Sequence, residues 1–380
     1  MSTLIHSAHL VDGERTTDDA WVLFDGEGIA AVGTGNDRPD AATVVDAAAL
    51  AGAGAILTPG FIDIHGHGGA GFAYDDGPDA IRAARAMHRS HGTTRAVLSL
   101  VTAPLETLER RAAMIADLVE TDADILGSHL EGPFLDPGHK GAHDLALLRA
   151  PEAAAVERLL AAGRGTVRQV TLAPELPGGL EAVRAVVAAG AAAAVGHTDA
   201  DAAMCRAAFD AGATILTHAF NAMPPLHHRE PGPVGAAASD PRVTLEVIAD
   251  GVHLAPEIVR LAFSAAPGRV ALVTDAMAAA GAADGRYDLG SLAVDVVDGT
   301  ARLVEGGAIA GSTLTQDAAL RFSVACGVPL AEAVAALTTV PARAIGRDDL
   351  GALAPGCAAD AVLLSRELDV RAVWTAGVRA

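Results

Sequence analysis

The sequence predicts an α/β fold: a TIM-like (β/α)8 barrel with a small β-sandwich built from both termini. Three observations predict it. From about residue 59 onward, short apolar runs alternate with Ala-rich stretches of helical period. Both ends of the chain carry short β-like runs instead. The 380 residues are 51% hydrophobic but only 3% aromatic, so the core has to be made of Ala, Val, Leu and Ile. That composition suits parallel strands covered by Ala-rich helices.

Taken in order, residues 1–58 hold β-like runs such as Ala20-Trp21-Val22-Leu23-Phe24 before a turn at Asp25-Gly26. They form the first part of the sandwich. Residues 59–340 form the barrel, with strands expected to end near His65, Leu100, Leu130, Leu172, Gly196, Thr217, Asp250 and Asp275. Helical runs fall at Ala80–His91, Leu105–Val119, Pro151–Ala162, Leu180–Ala189 and Ala200–Ala211. Eight strand–helix units are what a closed parallel barrel requires. Residues 286–304 interrupt this pattern with β-like alternation and a hairpin-like Asp298-Gly299 turn. Residues 341–380 return to short strands, Ala361–Leu364 and Val370–Trp374, and complete the sandwich.

The formal net charge is −20. Nucleic acid and anionic membranes both need clustered cations, so neither is an expected partner. An anionic substrate would need a local cationic pocket. Lys140 is the single lysine, and all other basic side chains besides histidine are arginine. Cys205, Cys326 and Cys357 are far apart and odd in number, which reads as thiols of a reduced compartment. The N-terminus has no basic region followed by an apolar stretch, and runs such as Ala188–Val195 are too short to span a bilayer. A cytoplasmic protein is expected.

The histidines and carboxylates gather just past the expected strand ends, the face on which barrel enzymes carry their sites. In Phe61-Ile62-Asp63-Ile64-His65-Gly66-His67, alternation points His65 and His67 the same way, so both imidazoles can reach one ion. In Ser128-His129-Leu130-Glu131-Gly132, Glu131 stands directly after an apolar strand as a hard oxygen ligand. His129 shares its strand face and reads equally as a supporting partner of the site or as a core histidine. Val195-Gly196-His197 and Leu216-Thr217-His218 each present a histidine at a strand end, one strand–helix unit apart. With Glu131 they make a two-nitrogen, one-oxygen set, which suits Zn, Fe, Mn or Co and leaves room for water. Asp275, in Val273-Thr274-Asp275, reads alone as a helix N-cap. Beside a divalent ion it reads as the proton carrier for water whose pKa falls to roughly 7.

This order of residues resembles the amidohydrolase superfamily. Within it, His129-Leu130-Glu131-Gly132-Pro133-Phe134, Gly138-His139-Lys140-Gly141-Ala142-His143, His218-Ala219-Phe220-Asn221-Ala222-Met223 and Thr274-Asp275-Ala276-Met277 are similar to the N-acetylglucosamine-6-phosphate deacetylases. Arg229-Glu230-Pro231-Gly232, Asp250-Gly251-Val252-His253 and Ala310-Gly311-Ser312-Thr313-Leu314 continue the resemblance, and Gly351–Asp360 looks like the superfamily's C-terminal sandwich segment.

The resemblance implies that Glu131, His197 and His218 hold the main divalent metal, with zinc expected, and that Asp275 is the general acid/base. It implies that His143, with Ala142 beside it, binds the substrate and polarises its carbonyl. Asn221, Ala222, Arg229, His253 and the Ile309, Ala310 and Gly311 backbone would hold an amino-sugar phosphate, with Arg229 and His253 donated by the neighbouring subunit of a homodimer. Some members of the family replace the first-strand histidines with amides and hold one ion. This chain keeps His65 and His67, so a second metal position is expected. Lys140 is not at a strand end, which argues against a carboxylated-lysine bridge. The expected reaction is removal of the acetyl group from N-acetyl-D-glucosamine 6-phosphate. The alternatives are another N-acylated sugar phosphate, such as the galactosamine epimer, or a barrel that binds without catalysis.

Overall fold

The computed structural model describes residues 2–13 and 15–380. The chain opens with β1 (Ser2–Val11), β2 (Thr16–Asp25), β3 (Gly28–Thr34), β4 (Thr43–Asp46) and β5 (Ile56–Pro59). It then enters the barrel at β6 (Phe61–Asp63) and makes a short ribbon, β7 (Gly68–Gly69) with β8 (Phe72–Ala73). Seven barrel strands follow: β9 (Thr93–Val101), β10 (Ile125–Glu131), β11 (Val167–Leu172), β12 (Ala192–Val195), β13 (Ile215–Leu216), β14 (Thr244–Val247) and β15 (Val270–Leu272).

The barrel strands are parallel and adjacent in chain order from β6 and β9 through β15. Each is followed by a helix: Pro78–Ser90, Leu105–Val119, Ala153–Ala162, Gly179–Ala188, Ala202–Asp210, Gly232–Ala238, Pro256–Ala265 and Gln316–Ala325. The spacing of apolar positions explains these helices. On Pro78–Ser90 the buried residues Ala80, Ile81, Ala84, Arg85 and His88 recur every three or four positions. Proline occupies the first turn, where its missing N–H costs nothing.

The seam between β6 and β15 is closed largely by polar groups. The Asp63 carboxylate accepts from Thr274 Oγ1 at 2.6 Å and from the backbone of His65 at 3.2 Å and Thr274 at 3.3 Å. The Asp275 N–H donates to His65 O at 2.8 Å. The barrel is therefore TIM-like and near-closed, as its pattern of eight units predicts.

Between β15 and its helix the chain inserts an antiparallel sheet, β16 (Gly285–Leu289), β17 (Leu292–Val297) and β18 (Thr300–Leu303). The turn between β17 and β18 has φ of +49° at Asp298 and +71° at Gly299, the left-handed pair that a two-residue hairpin needs. Leu289, Val294, Val296 and Leu303 of this sheet pack on Val101 and Met277, which fixes it beside the ends of β9 and β15.

The helices Leu330–Leu337 and Thr339–Ala344 follow, and Val340, Ala342 and Ile345 still belong to the barrel core. Last come β19 (Ala361–Leu364), β20 (Val370–Thr375) and β21 (Val378–Arg379). They join the N-terminal strands in one eight-stranded sheet, ordered β21-β20-β19-β5-β1-β2-β3 with β4 on β1. Phe24, Leu57, Leu363 and Trp374 lie in its separate core. Among the described residues no helix is long and apolar enough to cross a membrane.

Candidate metal centre and active site

Five barrel strands deliver the polar side chains to one place. His65 and His67 lie just past β6, Glu131 ends β10, and His197, His218 and Asp275 lie just past β12, β13 and β15. Three of these residues sit in left-handed backbone, with φ of +47° at His197, +26° at His218 and +48° at Asp275. Such conformations cost about 1–3 kcal/mol each for residues other than glycine and persist only where the surroundings enforce them. Here the neighbours do so: Asp136 N donates to His197 O at 2.8 Å, Asn221 N to His218 O at 3.0 Å and Ser312 N to Asp275 O at 2.7 Å.

Glu131 stands at the centre. Its Oε1 is 3.3 Å from both His197 Nε2 and His218 Nε2, and those two nitrogens are 2.9 Å apart. Ligands at about 2.0–2.1 Å from a tetrahedral ion are separated by roughly 3.3 Å, so this triangle has the dimensions of one ligand face. On the other side, His65 Nε2 lies 3.2 Å from Glu131 Oε1 and 3.5 Å from Asp275 Oδ1. His67 Nε2 lies 3.1 Å from Glu131 Oε2 and 3.2 Å from Asp275 Oδ1. His65, His67, Glu131 and Asp275 thus form a second group able to hold an ion, and Glu131, His143 and His197 form a further such cluster. The side chains are buried, and His65 Nε2, with no hydrogen-bond partner, faces the carboxylates. Nitrogen and carboxylate donors converging on an unpartnered buried nitrogen fit a divalent cation.

The electrostatics agree. Burial pulls the His67 imidazole down, but the hydrogen bonds and charges of Asp275 and Glu131 outweigh it and lift it to about 9. Burial likewise opposes the charge on His65, yet Glu131, Glu246 and Asp275 hold it well above the ordinary range. Burial pushes the Asp275 carboxyl up, but His65 and His67 overcome this and hold it at about 2. The Glu131 carboxyl is held well below its usual range, as His65 and the hydrogen bonds of His143, His197 and His218 overcome burial. His197 goes the other way: burial depresses it to about 4, against its hydrogen bond to Glu131. A neutral His197 keeps the lone pair that ligation needs, whereas an ion at His65 and His67 must displace protons.

These groups open onto a cavity of about 290 Å3. Its polar wall includes His67, Glu131, His143, His197, His218 and Asp275, and its apolar wall includes Val101, Ile248, Leu289 and Ile309. Ala142, Asn221, Ala222 and Gly311 also line it. Ala310 is buried and does not, its N–H instead tethering the loop to Ala301 O at 3.1 Å. His143 Nδ1 bonds Thr102 Oγ1 at 2.8 Å, while its Nε2 lies 3.6 Å from Glu131 Oε2. Arg229 is exposed on the loop after β13 and does not reach the cavity of its own chain.

His253 requires a correction. The resemblance implied that it comes from a neighbouring subunit, but the structure places it on the wall of its own chain's cavity. The reason is local: Asp250 accepts from His253 N at 2.8 Å and bonds its Nδ1 at 2.7 Å, turning the loop back over the strand end. Burial lowers the His253 imidazole, but this Asp250 contact outweighs it and raises it.

His129 is a core histidine beneath the site. It is bonded by Ser99 Oγ and Thr171 Oγ1, both at 2.8 Å, and burial holds it well below the ordinary range. The lysine lies where the sequence puts it, away from a strand end, with Nζ donating to the carbonyls of Gly141 at 3.3 Å and His143 at 3.2 Å.

Sequence reasoning missed several residues. Thr102 and His139 belong to the site, His139 lining the cavity and bonding His197 Nδ1 through its carbonyl at 2.8 Å. Asp63 closes the seam, and Glu246 bonds His65 Nδ1 at 2.9 Å. The signal for Glu246 was present: a carboxylate inside the apolar run Val243–Ala249, where an unpaired charge is costly.

Comparison with known proteins agrees with this geometry. The amidohydrolase family profile matches residues 56–379. The N-acetylgalactosamine-6-phosphate deacetylase of Escherichia coli O157:H7 is 44% identical over 329 residues, 85% of this chain and 87% of its own. The N-acetylglucosamine-6-phosphate deacetylase of Bos taurus is 39% identical over 341 residues, 85% of this chain and 83% of its own. Among solved structures, an aspartate-to-alanine variant of N-acetyl-D-glucosamine-6-phosphate deacetylase from Mycobacterium smegmatis, in complex with N-acetyl-D-glucosamine-6-phosphate, superposes with a TM-score of 0.94. It is 43% identical, and the match covers 100% of this chain and 99% of that one. With a profile match over most of its length and relatives of this identity and coverage, the chain belongs to the amidohydrolase family.

Proposed function

We propose that the protein hydrolyses the acetamide of N-acetyl-D-glucosamine 6-phosphate, releasing acetate and D-glucosamine 6-phosphate. One observation carries the reading: Asp275, an ionised carboxylate, shares a single cavity with the Glu131, His197 and His218 ligand face. The Mycobacterium smegmatis relative, in complex with this compound, supports the choice of substrate.

Glu131, His197 and His218 would hold the main ion, zinc in our reading, and His65 and His67 a second. When bound, a divalent ion polarises an amide oxygen and acidifies water. Asp275 takes the proton of the attacking water as the C–O bond forms and delivers it to the acetamide nitrogen, and the C–N bond then breaks to release acetate and the amine. His143, held by Thr102, donates a hydrogen bond to the acetamide oxygen as negative charge develops there. Val101, Ile248 and Leu289 keep bulk water from the reacting group.

No arginine or lysine among the described residues lines the cavity. A phosphate therefore needs a cation from elsewhere, and we assign it to Arg229 of a second copy in a homodimer. His253 of the same chain, with Asn221, Ala222 and the Ile309–Gly311 backbone, completes the phosphate and sugar contacts. Buried Cys205 and Cys326 thiols suit a cytoplasmic enzyme. The galactosamine epimer is a second reading, favoured by the Escherichia coli relative.

The test is acetate release from both epimers by the purified protein, before and after chelation. Release that stops on chelation and returns with metal is expected, with the higher kcat/KM on the glucosamine compound. No release from either epimer, or release undiminished by chelation, would overturn the reading.

A further inference from the structure

Beneath the ligand cluster, Glu246 occupies β14, where a barrel interior ordinarily carries branched apolar side chains. Its side chain is wholly buried. No arginine or lysine among the described residues pairs with it; its only ion-pair partner is His65. Both oxygens are nevertheless engaged. Oε1 accepts from Gln169 Nε2 at 2.7 Å. Oε2 faces His65 Nδ1 at 2.9 Å and accepts from the His218 backbone N–H at 3.2 Å.

The surroundings hold this carboxylate in place. Gln169 Nε2 also approaches His129 Nε2 at 3.5 Å. His129 bonds Ser99 Oγ, which accepts from Gly66 N at 3.1 Å, next to His65. A buried carboxylate without a cation is strongly unfavourable unless positive charge is supplied next to it. Among the described residues the ion-pair partner of Glu246 is His65, whose other ring nitrogen faces Glu131 and Asp275.

We propose that Glu246 is a positioning residue that builds the His65 side of the cluster as a second metal position. It takes the Nδ1–H of His65, so Nε2 is left as the donor facing Glu131 and Asp275. The same oxygen takes the His218 backbone N–H, where φ is +26°. A histidine ligand whose other nitrogen is fixed in this way binds metal more tightly, typically by about 10–100-fold. The inference rests on the two-ion reading given above.

The test is titration of metal-free protein with Zn(II) or Co(II) by calorimetry, comparing wild type with Glu246→Gln and Glu246→Asp. Glutamine keeps the volume but offers one acceptor oxygen to three donors. Wild type should bind two ions per chain. Glu246→Gln should keep one at wild-type affinity and bind the other about 10–100-fold more weakly, and Glu246→Asp should recover part of the loss. Two ions bound by Glu246→Gln with wild-type affinities would overturn the proposal, as would a single ion in wild type.

If the glutamine variant does not fold, long-range nitrogen NMR of 15N-histidine-labelled, zinc-loaded wild type decides the matter. The His65 signal, assigned by its loss in His65→Gln, should show a protonated Nδ1 and a ligated Nε2; the reverse pattern refutes it. Acetate release is read in parallel. A wild type that releases acetate with one ion keeps the deacetylase reading and loses this inference. A wild type that binds two ions and releases none does the opposite.

Discussion

The backbone N–H of Asp275 donates to the carbonyl of His65 across 2.8 Å. The last barrel strand is thereby joined to the first at the point where each delivers its polar side chain. Asp63 braces the same seam through Thr274. The Asp275 carboxylate also lies 3.5 Å from His65 Nε2 and 3.2 Å from His67 Nε2, so replacing either side should be felt by the other.

Asp275→Asn should lower kcat by about 10²–10⁴, the scale of general acid–base catalysis. The sequence alone suggests that metal binding survives this change. The structure refines that expectation, because Asp275 Oδ1 lies 3.2 Å from His67 Nε2. The ion at Glu131, His197 and His218 should remain while binding at His65 and His67 weakens. Single-turnover kinetics with metal analysis check both parts, and near-normal turnover would remove Asp275 from its role.

Thr102→Val should leave the fold intact and loosen His143, whose Nδ1 is bonded to this hydroxyl. A hydrogen bond of this kind contributes about 0.5–1.5 kcal/mol, so kcat/KM should fall by roughly two- to tenfold, mainly in kcat. Steady-state kinetics and a melting curve check it. An unchanged kcat would mean that His143 is oriented by other groups.

Arg229→Ala should raise KM for the phosphorylated substrate with a smaller change in kcat. Because Arg229 does not line its own cavity, mixing inactive Asp275→Asn subunits with Arg229→Ala subunits should restore a site that has both groups. Recovery of low-KM activity on subunit exchange checks the proposed dimer, and no recovery would place Arg229 outside the site.

Asp317 gives a pH prediction remote from the metal ligands. Burial raises its carboxyl, but His91, Thr315 and Arg321 outweigh this and hold it at about 2. Its folded value lies below the ordinary 3.8, so its contribution is present above that pH and is lost as pH falls through about 2. Asp317→Asn should therefore destabilise the protein at neutral pH, by roughly 1–2 kcal/mol after allowance for solvent screening. The gap to wild type should narrow by about pH 3. Urea unfolding at both pH values checks it, and a gap independent of pH would contradict the assignment.

Much of the architecture was legible because it is local. Leu105–Val119 and Ala361–Leu364 fall where their patterns put them, since apolar periodicity at 3.6 or 2 residues depends only on neighbours along the chain. Glu131, His197, His218 and Asp275 could be read as candidates for the same reason: each stands at the end of a short strand or within three residues past it. Thr102 left no such trace, and the carboxylate of Glu246 inside an apolar run marked the position without its role, because each acts through the partner it meets. Those partners, His65 and His143, are supplied by distant parts of the chain.

Periodicity and composition were enough for the eight strand–helix units, the residue types gathered at the strand ends and the excess of negative charge. It took the three-dimensional fold to place Glu131 between the His65–His67 and His197–His218 pairs, His253 but not Arg229 on its own chain's cavity, and Glu246 behind His65. Each is a distance between side chains remote in sequence, fixed by how the closed barrel brings its strand ends together.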